Sequence, residues 1–172
     1  AAGRNGGAGG GPGRAAPLAA GRAGPQTGPM ITIQETATTA RPRPEAFAYV
    51  ADFTTAAEWD PGLRYSERVS GDGGVGTRYR VGATFAGRVV PMIYEVIEHA
   101  APERIVLRGT ASAVEAVDAI SFEDLPEGGT RVTYRADFTL QGGLRRFGFL
   151  MKPLFARLGR KAIGGLETAL NR

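Results

Sequence analysis

Apolar and polar residues alternate along much of the chain from residue 30 onward, and this period of two predicts β-strands. In the first segment, 31–39, the apolar residues Ile31, Ile33 and Ala37 share one face. Short connections between such segments favour an antiparallel meander with one buried face. The six further predicted strands, separated by clusters of turn-forming residues, are 63–70, 76–82, 85–99, 103–109, 113–123 and 129–140.

The region between the first and second predicted strands has the composition of short helices. Pro44 suits the first turn of a helix, and Phe47, Val50 and Ala51 would form its buried stripe. The sequence TAAE at 55–58 has the spacing of a capping box, so it predicts a second short helix.

From Leu144 the apolar period returns to 3.6 residues, which predicts a long C-terminal helix. We expect Pro153 either to kink this helix or to begin its long part. The element order predicts an α+β domain in which a curved, seven-stranded antiparallel sheet wraps around the helix, with a cavity between them because one helix cannot fill such a sheet. The predicted apolar side of the helix comprises Leu144, Phe147, Met151, Leu154, Phe155, Leu158, Ala162, Leu166 and Ala169.

The first 29 residues differ in composition from the rest, with ten Gly, eight Ala, four Pro and three Arg. Such a segment has little apolar bulk to offset its ordering entropy, so we predict a disordered tail over 1–29 and one domain over 30–172. Met30 is the expected natural start of that domain. The tail arginines have no interleaved aromatic residues, so we expect no nucleic-acid partner.

The domain itself is nearly neutral, with 18 basic and 17 acidic residues, but residues 143–172 carry seven basic residues against Glu167 alone. The cationic face of the C-terminal helix is interpreted as a solvated surface, and weak contact with an anionic membrane surface is the alternative. No apolar run is long enough to cross a bilayer. We therefore expect a cytoplasmic protein, either a monomer or a homodimer.

Several kinds of site are disfavoured by composition and spacing. The chain has no Cys and a single histidine, His99, which argues against thiolate chemistry and a zinc site. Glu95 and His99 share one strand face while Glu98 takes the other, so we predict neither a metal nor a cofactor. The G-x-G-x-x-G pattern at 71–76 precedes a predicted strand rather than a helix, which favours a hairpin loop over a dinucleotide site.

Asp118 is the candidate for acid–base chemistry, because alternation places it on the same face as Ile120 and Phe122. A carboxyl group among apolar side chains either has a raised pKa or is held by hydrogen bonds, and pairing with an arginine or the backbone is the alternative. Tyr94 and Tyr134 are predicted to face inward too. The candidate catalytic residues are therefore Asp118, Tyr94 and Tyr134.

Inward-facing apolar and aromatic side chains are expected to contact a hydrophobic small-molecule ligand. Among them, Trp59 either lines the pocket mouth or anchors the helical segment onto the sheet. The predicted ligand-binding residues are Trp59, Tyr79, Phe85, Tyr94, Leu107, Ile120, Tyr134, Phe138, Phe147, Met151 and Phe155.

A set of short motifs occurs in a fixed order over about residues 30–171. The motifs are ARPRPEAFAYVADF at 40–53, AEWDPG at 57–62, GTRY at 76–79, YEV at 94–96, PER at 102–104, DAISFE at 118–123 and GTRVTY at 129–134. Together they resemble the polyketide cyclase/dehydrase branch of the START-like (SRPBCC) superfamily. The resemblance implies a helix-grip fold whose cavity holds a polyketide, a lipid or another hydrophobic small molecule. It implies cofactor-independent cyclisation or dehydration if the protein is an enzyme, and the alternative is a non-catalytic lipid carrier or a membrane-proximal accessory protein.

Overall fold

The computed structural model describes residues 30–85 and 87–172, and the predicted tail over 1–29 lies outside this part of the chain. Seven strands form one sheet in the order β1-β7-β6-β5-β4-β3-β2, and every neighbouring pair is antiparallel. The predicted α+β fold, with a curved sheet around a long C-terminal helix, is confirmed. The strands are β1 Met30–Thr39, β2 Leu63–Ser70, β3 Arg78–Phe85, β4 Arg88–Ala100, β5 Arg104–Thr110, β6 Val114–Asp124 and β7 Thr130–Leu140.

Short helices between β1 and β2 cover one part of the sheet, and a long helix follows β7. In α1, Phe47 and Val50 are buried, and the Phe47 ring packs edge-on against Phe122 of β6 with centroids 5.4 Å apart. The helical segments are α1 Arg43–Ala51, a 3₁₀ turn at Phe53–Thr55, α2 Ala56–Trp59, a second 3₁₀ turn at Gly142–Phe147, and α3 Gly148–Leu170.

The capping box predicted at 55–58 does not form. The Thr55 hydroxyl donates to the carbonyl of Tyr49 at 2.9 Å and accepts no hydrogen bond from the backbone of α2. Asp52 caps the first 3₁₀ turn instead, because its carboxylate accepts a hydrogen bond from the Thr54 backbone N–H at 3.3 Å.

The glycine-rich loop at 71–76 connects β2 to β3, which confirms that it is a hairpin loop. Gly71, Gly73 and Gly76 have φ angles of 88°, 110° and 88°, a region that other residues rarely adopt. The Asp72 side chain accepts a hydrogen bond from the Gly74 N–H at 3.0 Å. These glycines therefore serve the geometry of the loop.

The predicted boundary between the strands 76–82 and 85–99 is wrong, because β3 continues through Gly82 and Ala83 to Phe85. Gly82 pairs with Pro91 of β4, and a Cβ atom at Gly82 would collide with the ring of Tyr65. Gly82 thus permits the close approach of an aromatic ring within the sheet rather than a change of chain direction.

The C-terminal half of α3 is held firmly against β1 and α2. The Thr39 hydroxyl donates to the carbonyl of Leu170 at 3.1 Å, and the Asn171 amide donates to the carbonyl of Thr38 at 2.9 Å. Gly165 lies directly against the carbonyl of Trp59, where a Cβ atom would not fit. Small residues therefore set the distance between α3 and the rest of the domain.

The N-terminal half of α3 does not follow the predicted buried stripe. Phe147 and Leu154, both predicted to face inward, are 51% and 38% exposed, while Phe155 is buried. Pro153 lies inside α3, so it does not begin the helix. A helix that is close to the sheet at only one end leaves space at the other.

Candidate functional site

That space is a cavity of about 260 Å³ between the concave face of the sheet and α3. Its lining is mostly apolar and comes from β1, the helical segment before β2, the start of β2, strands β3, β4, β6 and β7, the loop between β5 and β6, the second 3₁₀ turn and α3. The rings of Phe138 and Phe155 meet with centroids 4.4 Å apart, and Phe85 lies 6.1 Å from Phe155 on its other side. These rings form an apolar surface for a hydrophobic ligand.

Six of the predicted ligand-binding residues line this cavity together. Trp59 is 4% exposed and lines the cavity, and its backbone carbonyl lies against Gly165 of α3. The six residues are Trp59, Phe85, Tyr94, Tyr134, Phe138 and Phe155.

The other five predicted residues do not line the cavity. Tyr79, Leu107 and Ile120 are fully buried in the contiguous core, where the Tyr79 ring packs edge-on against Phe53 at 5.7 Å. Phe147 is 51% exposed; it belongs to the 3₁₀ turn before α3, where the period of 3.6 residues does not apply. Met151, in the first turn of α3, is half-buried. Alternation and helical period identify inward faces, but not which inward residues border empty space.

Asp118 lies on β6 and is 4% exposed, with its carboxyl group in the cavity lining. Burial raises its pKa to about 7, the hydroxyls of Tyr134 and Tyr94 lower it by hydrogen bonding, and the nearby Asp60 raises it. Its Oδ1 atom is buried and has no hydrogen-bond partner among the described residues. The alternative in which an arginine neutralises Asp118 is not met, since no Arg, Lys or His belongs to the described lining.

Three strands bring the catalytic candidates together across the sheet. Gly109 of β5 pairs with Tyr94 of β4 on one side and with Ala116 of β6 on the other. A Cβ atom at Gly109 would lie 2.5 Å from Cζ of Tyr94, so the tyrosine ring lies across the glycine and extends towards β6. Tyr134 of β7 reaches Asp118 from the opposite side.

Asp60 is a second cavity carboxyl group, which the sequence reasoning missed. Burial raises its pKa to about 6, while a hydrogen bond from the Gly62 N–H to Oδ1, at 2.7 Å, lowers it. The available signal was the order Trp59-Asp60-Pro61-Gly62, in which a turn follows a buried tryptophan and directs the aspartate inward.

These groups can exchange protons near neutral pH. A carboxyl group with a pKa of about 7 is present in both protonation states there, as a general acid–base catalyst requires. Burial and the adjacent Asp118 raise the pKa of Tyr94 and of Tyr134 well above the usual value, so both hydroxyls stay protonated and serve as hydrogen-bond donors. The polar end of the cavity thus combines a proton acceptor with two fixed donors.

Glu95, Glu98 and His99 are engaged separately rather than as a cluster. Glu95 pairs with Arg78 at 2.9 Å, Glu98 pairs with Arg104 at 3.1 Å, and the His99 ring packs edge-on against Phe47. Among residues 30–85 and 87–172, no three His, Asp or Glu side chains are grouped so that they could hold a metal ion.

Residues 30–171 match the family model described as polyketide cyclase/dehydrase and lipid transport. The chain belongs to this family. The resemblance to the polyketide cyclase/dehydrase branch of the START-like superfamily is thereby confirmed, and membership of this family supports a fold that binds hydrophobic ligands. A search of curated proteins finds no significant match.

Solved structures of similar fold include two described as aromatase/cyclases. The Zhui aromatase/cyclase from a Streptomyces species aligns with a TM-score of 0.70 at 16% identity, covering 82% of this chain and 93% of that one. A START superfamily protein from Mycobacterium smegmatis gives a TM-score of 0.69 at 15% identity, covering 81% and 96%. The di-domain ARO/CYC BexL gives 0.66 at 14% identity, with 87% of this chain and 52% of that one covered.

The TM-scores show that this member of the polyketide cyclase/dehydrase family shares its fold with these proteins. Within the described part of the chain, no helix is both long and apolar enough to span a membrane.

Proposed function

We propose that the protein binds a polyketide-like small molecule in the cavity and that Asp118 transfers protons in its cyclisation or dehydration. The observation that carries the proposal is a buried carboxyl group whose Oδ1 has no hydrogen-bond partner among the described residues, in a cavity with a mostly apolar lining. A buried polar atom without a hydrogen-bond partner costs free energy. A ligand group that donates a hydrogen bond to this oxygen would remove the cost, so the unpartnered Oδ1 supports a ligand-binding role for Asp118.

The chemistry follows from the arrangement of the three side chains. The Asp118 carboxylate removes a proton from a carbon between two carbonyl groups, and a hydroxyl of Tyr94 or Tyr134 donates a hydrogen bond to the developing enolate oxygen. The enolate carbon forms a bond to a second carbonyl carbon of the same chain, whose oxygen takes the proton held by Asp118. The regenerated Asp118 carboxylate then removes the second proton from the same carbon and passes it to the departing hydroxyl group, which leaves as water as the C=C bond forms.

The cavity supplies the remaining catalytic contribution by holding a flexible chain in a folded conformation. Bringing two carbons of one chain into contact removes much of the entropic part of the barrier. Apolar rings such as Phe138 and Phe155 suit the carbon chain, while the polar end at Asp118 orients its oxygen atoms.

The test uses a short synthetic poly-β-ketone thioester and follows formation of its cyclised product by absorbance. We expect Asp118→Asn to slow product formation by about a hundredfold, because the amide cannot accept the proton. The matched control is Asp124→Asn, which removes an exposed carboxylate from the same strand. Equal rates for wild type and Asp118→Asn would contradict the proton-transfer role.

A further inference from the structure

The 3₁₀ turn at Gly142–Phe147 and the first turns of α3 expose an unusual number of large apolar side chains. Phe147, Phe149, Leu150 and Leu154 are 51%, 76%, 58% and 38% exposed. On a helical wheel Phe149, Leu150 and Leu154 project from the side opposite the buried Phe155. We refer to these four residues as the apolar patch.

Basic residues surround the apolar patch without acidic neighbours in sequence. Residues 142–166 contain six basic residues and no acidic one. All six are exposed; the four nearest the patch in sequence are Arg145, Arg146, Lys152 and Arg157, and none of these four forms an ion pair with another residue of the described chain. The patch is therefore bordered by free positive charge.

The position of these cations costs stability rather than adding to it. Arg145 and Arg146 immediately precede α3 and Lys152 lies near its start, where the helix dipole already concentrates positive charge. No acidic residue occupies the first turn to offset this. An arrangement that is unfavourable within the fold becomes favourable against an anionic surface.

The apolar patch lies beside one end of the cavity. Leu144, Phe155 and Leu158 of the same segment line the cavity. The loop between β5 and β6, which also contributes to the lining through the exposed Ser112, is joined to this segment by a hydrogen bond from the Gln141 N–H to the Ala113 carbonyl at 2.9 Å.

We propose that the apolar patch and its four flanking cations form a docking surface for an anionic lipid bilayer. The apolar side chains enter the acyl boundary while the long basic side chains reach lipid phosphates. A convex helix face that carries both chemistries fits a bilayer better than it fits a rigid acidic protein, which would need a matching groove. Docking there places the cavity end next to the membrane and extends the proposed function by naming a source of hydrophobic ligand.

The test measures co-sedimentation of the full chain with phosphatidylcholine vesicles, with and without about 30 mol% phosphatidylserine. We expect binding to the anionic vesicles only, and its loss in high salt. Arg146→Gln should weaken partitioning about fivefold, whereas Arg64→Gln, an exposed cation on β2, should leave it unchanged. Phe149→Ala should weaken it about tenfold, and Val75→Ala, which alters a 66% exposed residue of the 71–76 loop, should not.

Two results would overturn the proposal. One is that the chain does not bind anionic vesicles, or that high salt and Arg146→Gln leave its binding to them unchanged. The other is concentration-dependent self-association in sedimentation velocity that Phe149→Ala abolishes, which would assign the patch to a second copy of the chain. Vesicle docking is measured without a cavity ligand, so its failure is distinguishable from failure of the proposed function.

Discussion

At the scale of single residues, the site depends on Asp118, whose carboxyl group is buried in surroundings that disfavour its ionised form. Asp118 is buried, faces an apolar cavity and receives hydrogen bonding from two tyrosines rather than from a cation. Ionisation in this position costs free energy because the charge is only partly solvated. The protein therefore retains a destabilising group at a point where a ligand would use it.

This leads to a prediction for the pH dependence of stability. The pKa of Asp118 rises from 3.8 to about 7 on folding, so the folded state binds the proton more tightly than the unfolded state. The associated stability is complete below about pH 4 and is lost as the pH rises towards 7, and the raised pKa of Asp60, about 6, acts in the same direction. Asp118→Asn should reduce this loss.

The measurement is urea unfolding of wild type and Asp118→Asn at pH 4.5 and pH 8. At pH 8 the variant should be more stable by on the order of 2 kcal/mol, and at pH 4.5 the difference should be much smaller. A variant that is less stable than wild type at pH 8 would show that Asp118 stabilises the fold as an anion.

The two tyrosines allow a separate prediction. Their hydrogen bonds lower the pKa of Asp118, so Tyr134→Phe and Tyr94→Phe should each raise it further. Tyr79→Phe is the matched control, because Tyr79 lies outside the cavity lining. The pKa is read from the carboxyl carbon chemical shift as the pH is varied, and a fall in either cavity variant would contradict the assigned contacts.

The sequence alone could place Asp118, Tyr94 and Tyr134 on the inward face of the sheet, because strand alternation determines which side chains share a face. It did not place Asp60 in the cavity: the turn after Trp59 was the available signal, but the direction of the side chain depends on the hydrogen bond from the Gly62 N–H. That no arginine of the described residues lines the cavity beside Asp118 was equally beyond the sequence, since ion pairs across a sheet depend on register and tilt.

At the scale of elements, the position of α3 depends on Gly165, one of two adjacent glycines with different surroundings. Gly165 lies against the Trp59 carbonyl, whereas Gly164 has open space where a Cβ atom would be. Gly165 is required for the close packing of α3, whereas Gly164 only lowers the helix propensity of this segment. The contact at Gly165 ties α3 to the helical segment that carries Trp59 and Asp60.

The two glycines form a matched pair of variants. Gly165→Ala should destabilise the domain by about 1–3 kcal/mol because α3 must move away from Trp59. Gly164→Ala should stabilise it by about 0.5–1 kcal/mol through improved helix propensity. Thermal and urea unfolding measure both changes, and an equal effect of the same sign would contradict the packing described for α3.

The element boundaries show where sequence patterns stop being informative. A glycine inside an alternating segment indicates either a turn or a close approach, and at Gly82 it is the ring of Tyr65 that requires it. Helical period likewise placed Phe147 and Leu154 on the apolar side of α3, yet the helix is close to the sheet only at its C-terminal half. Tertiary contacts decide both cases.

At the scale of the whole molecule, the cavity follows from covering a seven-stranded sheet with a single long helix. α1 and its aromatic contacts fill one part of the concave face, and α3 lies over the rest without filling it. The sequence predicted this space from element order and length alone. Its volume of about 260 Å³ depends on the distance between the sheet and α3, which the sequence pattern does not define.

The central claim, that this cavity binds a hydrophobic small molecule, is tested most directly by fluorescence titration with the neutral apolar dye 1-aminoanthracene. The wild type should bind the dye saturably. Ala83→Phe, which places a ring in the cavity lining, should weaken binding at least about tenfold, while Val89→Phe, at a 48% exposed position on the next strand, should not. Absence of saturable binding, or equal binding by wild type and Ala83→Phe, would contradict the account.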